Sequence, residues 1–140
     1  MEKNLKFLIV ASNFYPEITS NLIKQTTSHL DLLKCKYEKY TVTGSLEVPT
    51  LISILLKKKK YDAVIALGCI IRGETQHYQF ISSSIVNSIS SLSIKYSVPI
   101  SNAILNCENM EQAKIRSSKE KDKSKEAVEA ALSVLKNIQD

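Results

Sequence analysis

Tryptophan is absent from this 140-residue chain. Neither of its two basic runs, Lys57-Lys58-Lys59-Lys60 and the stretch from Lys114 to Lys125, is interleaved with aromatic residues. A protein that binds single strands by stacking bases needs such aromatics, so the net charge of +5 reads as solvated lysine faces that tolerate an anionic small molecule, not as a nucleic-acid surface. Cysteine is scarce as well: Cys35, Cys69 and Cys107 are odd in number, far apart and form no C-x-x-C pair. That pattern argues against a disulfide framework and against a zinc site, leaving reduced thiols. Apolar runs long enough for a membrane span are missing. Met1-Glu2-Lys3-Asn4 leads directly into a strand-like segment without the pattern of a signal peptide, so the expectation is a soluble, cytoplasmic protein with no membrane partner. No G-x-G-x-x-G, no P-loop and no cluster of metal ligands occurs, and the residues lend no support to a nucleotide-cofactor or metal mechanism.

What is present suits one globular unit. A hydrophobic fraction of 44% over this length supplies one core and is too little for two, so residues 1–140 are expected to form a single domain. Leu5 to Ala11 is a nearly continuous apolar run, the mark of a strand buried on both faces of a parallel sheet. After the break at Ser12-Asn13-Phe14-Tyr15-Pro16, the apolar residues Ile18, Leu22, Leu30 and Leu33 predict a helix from about Ile18 to Leu33. Lys36 to Val42 alternates and reads as a second strand. Val48 to Lys58 reads as a helix with Pro49 in its first turn, ended by the lysine run where cations face the negative end of the dipole. Tyr61 to Gly68 is the clearest strand.

A polar loop from Cys69 to His77 then precedes a helix carrying Ile81, Ile85, Ile89 and Leu92 on one stripe. Most of its remaining surface is serine: Ser82, Ser83, Ser84, Ser88, Ser90, Ser91 and Ser93. Serine is a middling helix former, so this choice points to close approach of another helix. Ile100 to Leu105 is a fourth strand, and Asn109 is placed to cap a short helix from Met110 to about Arg116. The charged stretch Ser117 to Ser124 reads as a mobile connection, and Val128, Ala131, Leu132, Leu135 and Ile138 mark one face of a last helix. Alternating strands and helices of this kind predict a three-layer α/β/α, flavodoxin-like, doubly wound sheet of four parallel strands. Ligand-binding residues then gather in the loops after the strands.

Within those loops His77 is suited to proton transfer, because imidazole titrates near neutrality; it could equally cap the helix, and both readings are open on the residues alone. Arg72, Thr75 and Arg116 are of types that contact phosphate or carboxylate, and Gly73 permits close backbone approach. Glu47 could accept hydrogen bonds from a ligand or cap a helix. Phe14 could stack on a flat ring or cover the core. Cys69 with His77 could form a thiol and base, although Cys69 continues an apolar strand and reads better as an inert buried thiol.

Four separated stretches, taken together, resemble the lumazine synthase family: Asn13-Phe14 with Ile18-Thr19, Gly44 to Pro49, Leu67 to Tyr78, and Glu108 to Ala113 with Arg116. The third is the most specific. The resemblance implies formation of 6,7-dimethyl-8-ribityllumazine from 5-amino-6-(D-ribitylamino)uracil and 3,4-dihydroxy-2-butanone 4-phosphate, without a metal or organic cofactor. By the same resemblance Phe14 stacks on the pyrimidinedione, while Ser45, Leu46, Glu47, Cys69, Ile70 and Ile71 hold its ring and ribityl chain. Asn102 is a further substrate contact, Glu74, Thr75 and Arg116 form the phosphate site, and His77 is catalytic. Five subunits are implied to form a ring with sites at their interfaces, and such pentamers stack or build a sixty-subunit shell in this family. Three features depart from the family pattern: Asn13 where Arg or a similar residue is usual, Tyr15 where Asn is common, and Ser117 to Ser124 in place of a Gly-rich, Lys-containing stretch. The altered stretch leaves a competing reading, a catalytically silent flavin- or pyrimidine-binding protein. A Cys69-dependent thiol enzyme is a third.

Overall fold

A computed structural model describes residues 4–138. The elements follow in the order β1 (Lys6–Ser12), α1 (Pro16–Leu32), β2 (Lys36–Val42), α2 (Glu47–Lys58), β3 (Ala63–Ile71), a single 3-10 turn (Arg72–Glu74), α3 (Tyr78–Tyr96), β4 (Ile100–Cys107), α4 (Met110–Arg116) and α5 (Lys123–Lys136). All strand pairs are parallel, in the order β2-β1-β3-β4. The expected three-layer, doubly wound architecture is therefore present.

The alternation of side chains along the central strands divides the core in two. Phe7, Ile9 and Ala11 of β1 and Ile65, Leu67, Cys69 and Ile71 of β3 face the layer of α1, α4 and α5. Leu8 and Val10, with Val64, Ala66 and Ile70, face α2 and α3. Every residue of β3 is buried, as a strand covered on both faces must be. Ile85 and Ile89 of the α3 stripe are buried, with Ile81 and Leu92 packed at the margin of the same cluster. Asn109 caps α4 as expected, its side chain accepting the Gln112 N–H at 2.8 Å.

Four expectations need correction. β3 continues three residues past Gly68, so Cys69, Ile70 and Ile71 are the buried end of a strand and not the start of a loop; β4 pairs with them through Ile71 and Cys107. Gly68 does not break the strand. It is a point of close approach, where an added Cβ would lie 2.4 Å from Ser12 Oγ and 3.4 Å from Ser45 Oγ. Second, the implied phosphate residues Glu74 and Thr75 lie in and just after a 3-10 turn ahead of α3, so the loop before that helix is not wholly irregular. Third, the stretch from Ser117 to Ser124 is anchored at both ends instead of mobile. Ser117 and Ser124 are fully buried, Gln25 Nε2 donates to the Ser117 carbonyl at 2.8 Å, Ser124 Oγ donates to the Leu22 carbonyl at 3.0 Å, and His29 Nε2 meets Asp122 Oδ2 at 2.8 Å. Lastly, Leu33 and Ile138 fall beyond the ends of α1 and α5 and are exposed, because each helix stops before the apolar spacing does.

Candidate functional site

Parallel strands deliver their following loops to one edge of the sheet, and four such loops meet here. β1 ends at Ser12, whose hydroxyl shares a buried hydrogen bond of 3.1 Å with Ser45 Oγ in the loop between β2 and α2. Gly68 of β3 lies directly against this pair. Ser45 thus rests on a floor of Ser12 and Gly68 that itself lies below the cleft lining, a packing in which a Cβ at position 68 would collide with Ser12 Oγ.

Above that floor is a cleft of about 280 Å³ lined by Phe14, Tyr15, Gly44, Ser45, Leu46, Glu47, Cys69, Ile70, Ile71, Glu74, Thr75 and Ile81. Its walls are largely apolar with a few polar groups converging on it, as in small-molecule sites. Phe14 is 65% exposed, which excludes a role as core cover, and meets the Tyr15 ring edge-on at 5.0 Å. Glu47 is the first residue of α2; its Oε1 accepts the Thr43 hydroxyl at 3.3 Å and arches over Gly44. No side-chain cap of that helix is formed, so the capping reading of Glu47 fails and its carboxylate is left at the cleft.

The thiol of Cys69 faces away from reactivity. Burial, reinforced by the neighbouring Cys107 and by Glu74, pushes it up to about 12, so it stays protonated at neutral pH and is a poor nucleophile. Burial also raises Cys107. A disulfide between them is excluded by register: Cys69 pairs with Leu105, two residues short of Cys107, and that offset on adjacent strands separates the Cα atoms by roughly 8 Å, beyond bridging range. The inert-thiol reading holds.

His77 caps α3 by position but not by side chain. Its N–H donates to Thr75 Oγ1 at 3.1 Å, and among the described residues no hydrogen bond to its imidazole is made. The ring is exposed and ready to meet a ligand. Beside it, Arg72 makes only a loose, exposed pair of 3.5 Å with Glu108 and sits over the Tyr78 ring. Arg116 Nη1 donates to the Asn106 carbonyl at 2.8 Å, and Ser82 Oγ donates to Asn106 Oδ1 at 3.0 Å.

Nine of the twelve residues that the resemblance assigned to the site thus line one cleft, and three do not: His77, Arg116 and Asn102; Arg72 and Gly73 lie outside it as well. Asn102 lies on the outer strand β4, its Oδ1 accepting the Ile104 N–H at 3.1 Å, and borders grooves beside α3 and α5 instead. Sequence reasoning did not assign Tyr15, Gly44 and Ile81, which line the cleft, and it missed Ser12 and Gly68 as the support behind Ser45. The available signal was a serine closing an otherwise apolar strand and a glycine in the middle of another.

The family model described as 6,7-dimethyl-8-ribityllumazine synthase matches residues 4–139. Curated relatives carrying that description include a protein of Sphingopyxis alaskensis, 40% identical over 129 residues that cover 91% of each chain. Another, from Bartonella tribocorum, is 38% identical over 138 residues, covering 96% of this chain and 91% of its own. A third, from Methylorubrum populi, is 36% identical over 136 residues, covering 93% and 80% respectively. Among solved structures, a lactose-specific IIB component domain from Streptococcus pneumoniae aligns over 98% of this chain at 12% identity with a TM-score of 0.39, too distant to bear on the site. On the family match and these relatives, the chain belongs to the 6,7-dimethyl-8-ribityllumazine synthase family.

Proposed function

We infer that this protein is a lumazine synthase, a cofactor-independent transferase. It joins 5-amino-6-(D-ribitylamino)uracil to 3,4-dihydroxy-2-butanone 4-phosphate, releasing phosphate and water in the step before riboflavin. The observation that carries the assignment of residues is the convergence of Phe14, Ser45 to Glu47, Cys69 to Ile71, and Glu74 with Thr75 on one cleft. Phe14 stacks on the pyrimidinedione. Glu47 and the strand end from Cys69 to Ile71 hold the ring and ribityl chain.

The amine of the pyrimidine condenses with the ketone to an imine, phosphate is eliminated, and ring closure with loss of water completes the product. Each step relocates protons, the task of the unpaired His77 imidazole. Holding both substrates in one cleft supplies much of the remaining acceleration. Phosphate leaves as an anion stabilised by Arg116 and by backbone amides around Glu74 and Thr75.

The separation of His77, Arg116 and Asn102 from the cleft within one chain fits a site finished by a neighbouring subunit. We read the assembly as a homopentamer or a higher assembly of pentamers. Ser83, Ser84, Ser90 and Ser91 of α3 are exposed within one chain, so their close-packing role belongs to contacts between copies. Replacing Ser84 and Ser88 by Leu is expected to break the ring, and an unchanged mass on size-exclusion chromatography with light scattering would count against this. No helix among the described residues is long and apolar enough to cross a membrane, and a cytoplasmic setting without nucleic-acid partners agrees with the reaction.

Mixing the purified protein with both substrates and following the fluorescent lumazine tests the assignment. Ligand binding with no product above the uncatalysed background would favour a silent binder. The motive for that alternative is weakened, because the altered stretch from Ser117 to Ser124 packs against α1 at Gln25 and His29 and lines no part of the cleft.

A further inference from the structure

Tyr15 has no assigned role, yet it touches two residues that do. It precedes Pro16, which keeps its backbone out of the helical region, with φ at -117 and ψ at 89 degrees. Its ring packs on the core beneath β1 and β3. From there the phenol donates to Glu74 Oε1 at 3.0 Å, while the same ring meets Phe14 at an interplanar angle of 79°. All three residues line the cleft. The loop after β1 and the loop after β3 are tied together at this point.

The tie matters because of the sign of the charge it holds. A carboxylate in a loop whose amides receive phosphate repels the ligand that the loop binds, and the repulsion grows as water is excluded. A fixed hydrogen bond to one oxygen decides where that charge rests. Burial, together with the bond to Glu74, pushes the phenol up to about 12, so it remains a donor throughout the neutral range.

We propose that Tyr15 is a positioning residue that holds the Glu74 carboxylate aside from the anionic group of the ketone phosphate while bracing the Phe14 ring. This rests on the functional reading above. Tyr15→Phe keeps the ring and removes the donor. It is expected to raise KM for the ketone phosphate about tenfold, as loss of a hydrogen bond to a charged group does. KM for the pyrimidine should stay within about twofold and kcat should barely change. Adding Glu74→Gln to Tyr15→Phe removes the misplaced charge and is expected to recover most of the loss, a rescue that a merely structural role would not give.

An equal rise in both KM values, no rise at all, or no recovery on adding Glu74→Gln overturns the proposal while leaving the enzyme assignment intact. If the wild-type protein forms no lumazine, the assignment itself falls. Calorimetric titration with orthophosphate then decides for Tyr15, with weaker binding by Tyr15→Phe expected and equal binding overturning it. Should Tyr15→Phe fail to fold, Glu74→Gln alone takes its place: with the carboxylate already held aside by Tyr15, orthophosphate should bind within about twofold of wild type, and binding weakened about tenfold, as for a carboxylate that serves the anion site directly, refutes the idea.

Discussion

At the amino ends of the strands, polar side chains are consumed by one another. Glu38 of β2 accepts from Tyr61, Lys6, Lys59 and Tyr40, and Asp62 accepts the Lys6 N–H at 2.8 Å. At the carboxyl ends some groups are paired, as Tyr15 is with Glu74 and Arg116 with the Asn106 carbonyl, but others are left over. The His77 imidazole has no partner among the described residues, Phe14 stands in solvent, and Arg72 is only loosely paired. One edge of the sheet is satisfied and the other is left with unused capacity for hydrogen bonding and stacking. Substitutions at the open edge should therefore move turnover and leave stability alone, and those at the closed edge should do the opposite.

The largest effect is expected at His77. His77→Ala should lower kcat about a hundredfold, within the range of general acid–base catalysis, with no change in the urea midpoint because the ring makes no contact the fold needs. Turnover above background should survive, since positioning of the two substrates is untouched. A fall in stability matching the fall in rate would erase the distinction between the two edges.

Gly68→Ala probes the one place where the open edge is also part of the core. Its Cβ would meet Ser12 Oγ at 2.4 Å, an overpacking expected to cost about 1–3 kcal/mol and to displace Ser45 from the cleft floor. Chemical denaturation should show partial recovery when Ser12→Ala is added. Failure to recover would mean that Ser12 is not the obstacle. Phe14→Ala is a cleaner test of the exposed side: KM for the pyrimidine should rise up to about tenfold, the limit for loss of one stacked ring, at unchanged stability. Smaller still is Cys69→Ser, expected to keep kcat within about threefold because the thiol is held protonated. Abolished turnover there would revive the thiol enzyme.

The legibility of the sequence differed between the same two kinds of region. Strand β2 from Lys36 to Val42 and the start of helix α4 at Met110 were readable to the residue, because alternation and an Asn cap are local signals. The end of β3 was not. Gly68 reads locally as a breaker, and its actual reason, the Ser12–Ser45 pair, is brought to it by residues more than twenty positions away. The stretch from Ser117 to Ser124 misled for a similar cause: its composition is that of a loose linker, while its anchors are backbone carbonyls and His29 on α1. The residues alone left Phe14 and Glu47 open between two roles, and only the resemblance placed them, with Thr75, in one site; the shared cleft agrees with that placement, but nothing in their spacing foretold that His77, Asn102 and Arg116 would stand apart from the cleft within one chain.

The smallest expected effect lies at the closed edge and concerns pH. Hydrogen bonds from Tyr61, first in weight, and from Lys6 and Lys59 hold Glu38 down at about 2, well below the ordinary carboxylate range. A carboxyl whose folded pKa is depressed favours the folded state above its unfolded pKa, and that contribution is lost as pH falls through the folded value. Stability of the wild type should therefore decline between about pH 5 and pH 2, with part of the decline owed to this cluster. In Glu38→Gln the same urea titration should begin from a lower midpoint at neutral pH and fall less steeply over that window, since the titrating group is gone. Turnover at neutral pH should be unaffected, because the cluster lies at the opposite end of the strands from the cleft. A Glu38→Gln variant with the wild-type acid slope would show that the ion cluster is decoration, and that the contrast between the two edges rests on His77 and its neighbours alone.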